Sequence, residues 1–278
     1  MRSLLFVPAD SERKIAKGLS SGADALILDL EDSVAPSAKE AARRLAAEVL
    51  RSRKEGHPAL LVRVNPLSSG LTPADVEVIA PAGPDGLVQP KTESAEDVLS
   101  LSAMAAGIPV IAIATETARA MFCLGTYDQA VPPLAGLAWG AEDLSNDLGA
   151  ETNRDEEGSF TEPYRYARTL CLLAARAAGV EPIDTVYVNF RDRTGFEADC
   201  RAGMRDGFTG KLAIHPDQVE IINRIFTPAP EAVARATRIV EAFAATDVGV
   251  VGIEGEMVDR PHLLRAERLL ERARKYGL

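Results

Sequence analysis

Cysteine and histidine are scarce, with three of each in 278 residues. Cys123, Cys171 and Cys200 are odd in number and far apart, so they offer neither a disulfide framework nor a thiolate cluster, and a reduced, cytoplasmic setting is expected. The absence of any His/Cys cluster weighs against zinc. No apolar run approaches the roughly 18 residues that cross a bilayer, and residues 4–7 are too short for a signal-peptide core, so a soluble, unprocessed chain is expected. Basic residues are outnumbered 31 to 41, and the net charge of -10 argues against nucleic acid or anionic membrane as a partner. Any anionic ligand must be held by local basic groups. Glycine-rich phosphate turns are also missing: Pro8-Ala9-Asp10 follows the first apolar run, and neither G-x-G-x-x-G nor G-x-x-x-x-G-K-[ST] occurs. The lack of a G-x-S-x-G elbow weighs against a serine hydrolase of the α/β type.

What is present is ordinary globular material, 46% hydrophobic and 26% charged, enough for a large core. Eight short apolar runs recur at residues 3–7, 24–30, 59–64, 86–89, 109–115, 136–139, 185–189 and 211–214. Helix-like stretches such as 37–54 and 164–178 separate them. Alternation of this kind marks βαβ units, and a count of eight in a chain of this length favours a closed (β/α)8, or TIM, barrel over two smaller domains. Beyond the eighth run come helix-like residues 218–226, a break at Thr227-Pro228-Ala229-Pro230, a second helix at 231–244, an apolar 248–253, a turn at Glu254-Gly255-Glu256 and a last helix at 261–275. The expected organisation is a barrel catalytic domain over residues 1–226 and a short C-terminal helical arm over 227–278.

Barrel chemistry is assembled at the C-terminal ends of the strands, and here those ends are strongly polar. The runs end in Asp29-Leu30-Glu31-Asp32, Arg63-Val64-Asn65, Gln89-Pro90-Lys91, Thr115-Glu116-Thr117, Gly140-Ala141-Glu142-Asp143, Asn189-Phe190-Arg191 and His215-Pro216. Arg63, Glu116 and Asp143 directly follow apolar strands, where a lone charge is costly unless it is paired or bound to a metal. Glu116 and Asp143, from adjacent strands, suit a hard divalent ion that keeps several waters, as Mg2+ does. The alternative is that Arg63 and Lys91 satisfy the two carboxylates. Of the histidines, only His215 is well placed, and Lys91 is the nearest candidate for Schiff-base chemistry.

These residues lie in motifs that resemble the HpcH/HpaI aldolase and citrate lyase β-subunit family, in particular its malyl-CoA and citramalyl-CoA lyase branch. The carrying segments are Arg2-Ser-Leu-Leu-Phe-Val-Pro-Ala9, Leu28-Asp-Leu-Glu-Asp-Ser-Val34, Val62-Arg-Val-Asn-Pro66, Ala114-Thr-Glu-Thr-Ala118, Trp139-Gly-Ala-Glu-Asp-Leu144, Gly207-Phe-Thr-Gly-Lys-Leu-Ala-Ile-His-Pro216 and Gly255-Glu-Met-Val-Asp259. The resemblance implies a Mg2+-dependent barrel enzyme that breaks or makes a carbon-carbon bond between an acyl-CoA thioester and a 2-oxo acid. It implies Glu116 and Asp143 as metal ligands, with Glu116 also touching substrate, and Arg63 as the arginine that grips the oxo-acid carboxylate. Asp259 becomes the catalytic aspartate, delivered by the C-terminal arm into a neighbouring subunit's site in a trimer or hexamer. Phe6, Arg13, Lys17, Ile214 and His215 match coenzyme A contacts, and Glu31 and Asp32 are expected to hold metal-bound waters.

Arg13 and Lys17, four apart on a helix-like stretch, share one face that suits a nucleotide phosphate, although a solvated basic face would look the same. Glu256 stands where lysine is common in the family, which alters the charge near Asp259. The same motifs serve thioester hydrolases of the malyl-CoA type. They also serve citrate lyase β subunits that act on an acyl carrier protein thioester within a complex.

Overall fold

The computed structural model describes residues 1–105, 107–246 and 249–278. Contacts divide the chain into two compact units, Met1–Asn223 and Arg224–Leu278. The first runs β1 (Ser3–Pro8), α1 (Glu12–Leu19), β2 (Ala25–Asp29), α2 (Lys39–Arg51), β3 (Ala59–Arg63), α3 (Thr72–Ile79), β4 (Gly86–Gln89), α4 (Ala95–Met104), β5 (Val110–Ile113), β6 (Leu134–Ala138), α5 (Ala141–Asp147), α6 (Glu162–Ala177), β7 (Glu181–Asp184), α7 (Arg193–Asp206) and β8 (Gly210–Ala213). Helix α8 (Val219–Phe226) leads into the second unit, which holds α9 (Pro230–Ala244), β9 (Val250–Ile253), β10 (Glu256–Asp259) and α10 (Arg260–Lys275).

The eight strands of the first unit pair in parallel in sequence order and β1 closes on β8, which is the TIM barrel. Period-two alternation sorts each strand. Leu4, Ile27, Leu61, Val88, Ile111, Ile113, Ala138, Ile183 and Leu212 fill the interior. The intervening Leu5, Leu26, Leu60, Leu87 and Leu137 are buried on the outer face, the side that the helices cover. Between β5 and β6 the crossover uses two 3-10 segments, Ala120–Phe122 and Leu124–Ala130, instead of an α-helix.

One strand lies elsewhere than expected. Residues 185–189 are loop with a bend at Val188, and β7 is the preceding Glu-Pro-Ile-Asp, aligned with β6 through Gly136↔Glu181, Leu137↔Pro182 and Ala138↔Ile183. Pro182 has no N–H for the ladder, which made this segment a poor strand by sequence, yet its carbonyl still accepts the Thr209 N–H at 3.0 Å. Thr185-Val186-Tyr187-Val188 has the β-branched alternation of a strand because Val186 packs against the interior cluster just past the strand's end. The residue that closes the seventh strand is therefore Asp184.

In the second unit, β9 and β10 form an antiparallel hairpin turned by Glu254 and Gly255, both at positive φ. The arm is thus a helix-hairpin-helix rather than helices alone. Its small core is Ala236, Ile239, Ile253, Val258 and Ala266. Of the apolar residues 248–253 expected there, Val248 lies outside the described residues. Among the described residues no helix is long and apolar enough to cross a membrane.

Candidate active site

The alternation that sends Ile27 and Leu61 inward places Asp29 and Arg63 next on the same face, at the C-terminal mouth, and the β2–β3 register sets them side by side. Arg63 Nε and Nη2 donate to the two carboxylate oxygens of Asp29 at 2.6 and 2.7 Å, a bidentate fork. The Phe6 ring centroid lies 4.6 Å from Arg63 Cζ. Burial opposes the charge of Asp29, but the hydrogen bonds and charge of Arg63 outweigh it and hold its pKa below the ordinary value.

Glu31, 3% exposed, lies between two cations: its Oε1 accepts from Lys91 Nζ, and its Oε2 is 2.9 Å from Arg63 Nη1. The second approach is an ion pair without hydrogen-bond alignment, so Oε2 remains a buried oxygen with no hydrogen-bond partner. Burial raises the Glu31 pKa against the pull of Arg63 and Lys91. Lys91 Nζ also lies 3.1 Å from Asp32 Oδ2 and 3.2 Å from Asp143 Oδ1. Glu31, Glu116 and Asp143 hold its pKa above that of an ordinary lysine despite burial, which keeps it protonated and removes it as an amine nucleophile.

Glu116 follows β5, 3% exposed, and accepts the backbone N–H of Lys91. It makes no ion pair among the described residues. Burial first, then the nearby Asp143 charge, push its pKa well above the usual carboxylate value. Gly140 makes this packing possible, since a Cβ there would stand 2.6 Å from Glu116 Cγ. The same glycine immediately precedes α5, whose first turn carries Asp143. Two carboxylates thus lie near each other, and burial and the second acid push Glu116 toward its neutral form. Glu116 and Asp143 are the oxygen donors that could hold a divalent ion, although among the described residues no group of three or more acids, histidines or cysteines is gathered closely enough to form a ready-made metal cage.

The mouth assembles Arg63, Glu31, Asp32, Glu116 and Asp143, with Phe6 against Arg63. Lys91 pairs with Asp143 through its ammonium and reaches Glu116 through its backbone N–H, while Arg63 is engaged by Asp29 and Glu31. Ile214 and His215 follow β8, and both backbone N–H groups donate to Gln218 Oε1, whose amide reaches Tyr187 O at 2.9 Å. The His215 ring stacks on Phe190 at 4.7 Å. Arg13 and Lys17 are exposed on α1, outside the ion-paired cluster. Asp259 belongs to the second unit, where it ends β10, caps α10 and pairs with His262 Nδ1 at 2.5 Å.

Sequence reasoning missed the residues that hold this mouth in place. Lys39 Nζ donates to the carbonyls of Leu30 and Glu31 and to Asn65 Oδ1 at 2.7–2.8 Å, tying the loops after β2 and β3 together. Asn65 is itself fixed by the buried Asp75. A signal existed: a lysine opening a helix opposes the macrodipole and calls for another reason to be there. Also missed was Lys211, fully buried on β8. The two buried thiols offer no nucleophile, for burial pushes Cys200 up to about 12 and Cys171 higher still.

The fold is a closed parallel barrel whose mouth gathers acids around an arginine and a lysine, and comparison with known proteins gives it a family. The HpcH/HpaI aldolase/citrate lyase model matches residues 2–216, and a model for carbon-carbon bond lyases of the TIM-barrel fold matches residues 173–278. The chain belongs to the HpcH/HpaI aldolase/citrate lyase family, a family of carbon-carbon lyases. A (3S)-malyl-CoA thioesterase of Cereibacter sphaeroides is 37% identical over 275 residues, 98% of this chain and 94% of its own length. Citrate lyase subunit beta of Haemophilus influenzae is 35% identical, over 98% and 97%. The crystal structure of CitE from Mycobacterium tuberculosis in complex with magnesium, acetoacetate and coenzyme A is 34% identical, with a TM-score of 0.83 over 98% and 97% of the two chains.

Proposed function

We propose that this protein is a Mg2+-dependent lyase that cleaves, or forms by condensation, a 3-hydroxyacyl-CoA of the citramalyl-, malyl- or citryl-CoA type, giving a 2-oxo acid and an acyl-CoA. The observation that carries the reading is the Glu116–Asp143 pair beside Arg63: a buried acid with raised proton affinity, a second acid, and a fixed guanidinium at one mouth. Glu116 and Asp143 would hold the ion, with Glu31 and Asp32 ordering water near it. When bound, Mg2+ acts as a Lewis acid toward the substrate's hydroxyl and carboxylate oxygens. Arg63, held side-on by Asp29, would grip the oxo-acid carboxylate, and its fixed orientation lowers the entropy lost on binding. Asp259 is the proton-transfer group for the departing thioester enolate, brought by a neighbouring subunit of a trimer or hexamer. Phe6, Arg13, Lys17, Ile214 and His215 hold coenzyme A. The low cysteine content fits a cytoplasmic site of action.

Thioester hydrolysis is the second reading, favoured by the 37% identity with the Cereibacter sphaeroides malyl-CoA thioesterase. A third is a citrate lyase β-type role on an acyl carrier protein thioester, favoured by the Haemophilus influenzae relative. A Mg2+-dependent assay on malyl-, citramalyl- and citryl-CoA, following oxo acid and free thiol separately, tests all three. The lyase releases oxo acid and keeps the thioester. Thiol release favours the hydrolase, and silence on all three substrates favours the carrier-protein role.

A further inference from the structure

Lys91 is placed unlike any other basic residue in the barrel. It follows β4 with φ at 52°, in the left-handed region that side chains with a Cβ rarely occupy. That turn puts its backbone N–H on Glu116 and sends its ammonium to Glu31, Asp32 and Asp143, so a single residue touches four carboxylates, from the loops after β2 and β5 and from the first turn of α5. Non-glycine residues persist in such a conformation only where the surroundings over-determine it, and here those surroundings are the acids of the mouth.

We propose that the Lys91 ammonium is a resident competitor of the divalent ion, occupying the Asp143 oxygen that the ion must take and thereby setting how tightly the ion is held. The proposal rests on Glu116 and Asp143 as the ion's ligands. In the metal-free protein the ammonium links acids that would otherwise repel one another. When the ion arrives, the ammonium gives up Asp143 and keeps Glu31 and Asp32. Lysine suits this exchange better than arginine, because its charge is a compact point on a flexible stem that can shift without breaking a planar fork. The result is an ion that is bound yet exchangeable. Its affinity is limited by a like charge within a few ångströms, and acids already gathered by the lysine receive it.

Mn2+ binding, read from the spin-resonance signal of the free ion at fixed salt, tests this directly on the full-length wild-type, Lys91→Met, Lys91→Arg and Glu116→Gln proteins. Lys91→Met is expected to bind Mn2+ at least about tenfold more tightly, since at about 4 Å the repulsion between a single and a double positive charge exceeds the roughly 2.3 RT that a factor of ten requires even at the dielectric constant of water. Lys91→Arg, which keeps the charge but yields less readily, should bind Mn2+ no more tightly than the wild type, and Glu116→Gln should lose the site. The metal-free Lys91→Met protein should melt at lower temperature and regain more on Mn2+ addition than the wild type does. Should Met at this position fail to fold, Lys91→Gln repeats the measurement with a polar isostere. Equal or weaker Mn2+ binding by the neutral variants, with Glu116→Gln still devoid of it, overturns the competitor role alone. Binding retained in Glu116→Gln overturns the ligand assignment beneath it.

Discussion

Two charged clusters, each with buried members, sit on this barrel and are compensated differently. At the mouth, Asp29, Glu31, Asp32 and Asp143 pair with Arg63 and Lys91, while Glu116 makes no ion pair among the described residues. On the outer side of the wall, beneath α6 and α7, Asp184 and Asp199 meet Lys211 and Arg168. Asp184 accepts from Trp139 Nε1, the Thr185 N–H, Arg168 and Lys211, with no oxygen left over. Burial works against ionisation at both places, and the partners decide the sign. Lys211 and Arg168 pull Asp184 down to about 2, whereas Glu116, with an acid for a neighbour, is driven up. A closed ledger of charge reads as architecture, and an open one marks where a ligand belongs.

The largest expected effect lies in the balanced cluster. Lys211→Met strands Asp184 and Asp199 and should cost about 3–5 kcal/mol of unfolding free energy, measured by urea denaturation, with Mg2+ affinity unchanged in the protein that folds. At the mouth the expectation reverses: Glu116→Gln should lower kcat by about 10^2–10^3 with no loss of stability. Asp259→Asn should abolish turnover while Mg2+ binding persists, and a loss of metal affinity there would place Asp259 among the ligands instead. Gly140→Ala drives a methyl into Glu116 and should cost about 1–3 kcal/mol, with metal affinity falling alongside it.

pH separates the two regions with opposite signs. The stabilisation from Asp184 is present above its unfolded pKa near 3.8 and is lost as pH falls toward about 2. Glu116, whose folded pKa is raised, gives the opposite slope: it costs nothing below the ordinary carboxylate value, and stability declines as pH climbs from there through its folded pKa. Melting of metal-free Glu116→Gln should therefore exceed that of the wild type at pH 8, with the gap closing by about pH 4.

The sequence exposed the alternating βα rhythm and seven strands to within a few residues, because apolar runs buried on both faces stand out from their flanks. It hid β7 because four residues containing a proline and two acids carry little hydrophobic signal, while the neighbouring 185–189 mimics a strand by packing against the core. Losing β7 also lost Asp184, and with it the reason a lysine stands in the middle of β8. Arg63, Glu116 and Asp143 were legible as charges ending apolar runs. What they touch was not: the Asp29 fork depends on strand register, and the reach of Lys39 and Lys91 across loops depends on tertiary placement that no local pattern encodes.

The most direct test of this contrast is the melting temperature of wild-type, Glu116→Gln and Asp184→Asn proteins across a Mg2+ titration at pH 8. The account predicts that the wild type and Asp184→Asn gain stability with Mg2+ in parallel from different starting points, as linkage to a bound ion requires, while Glu116→Gln starts above the wild type and does not respond. A Glu116→Gln protein that still gains stability with Mg2+, or a wild type that gains none, would contradict it.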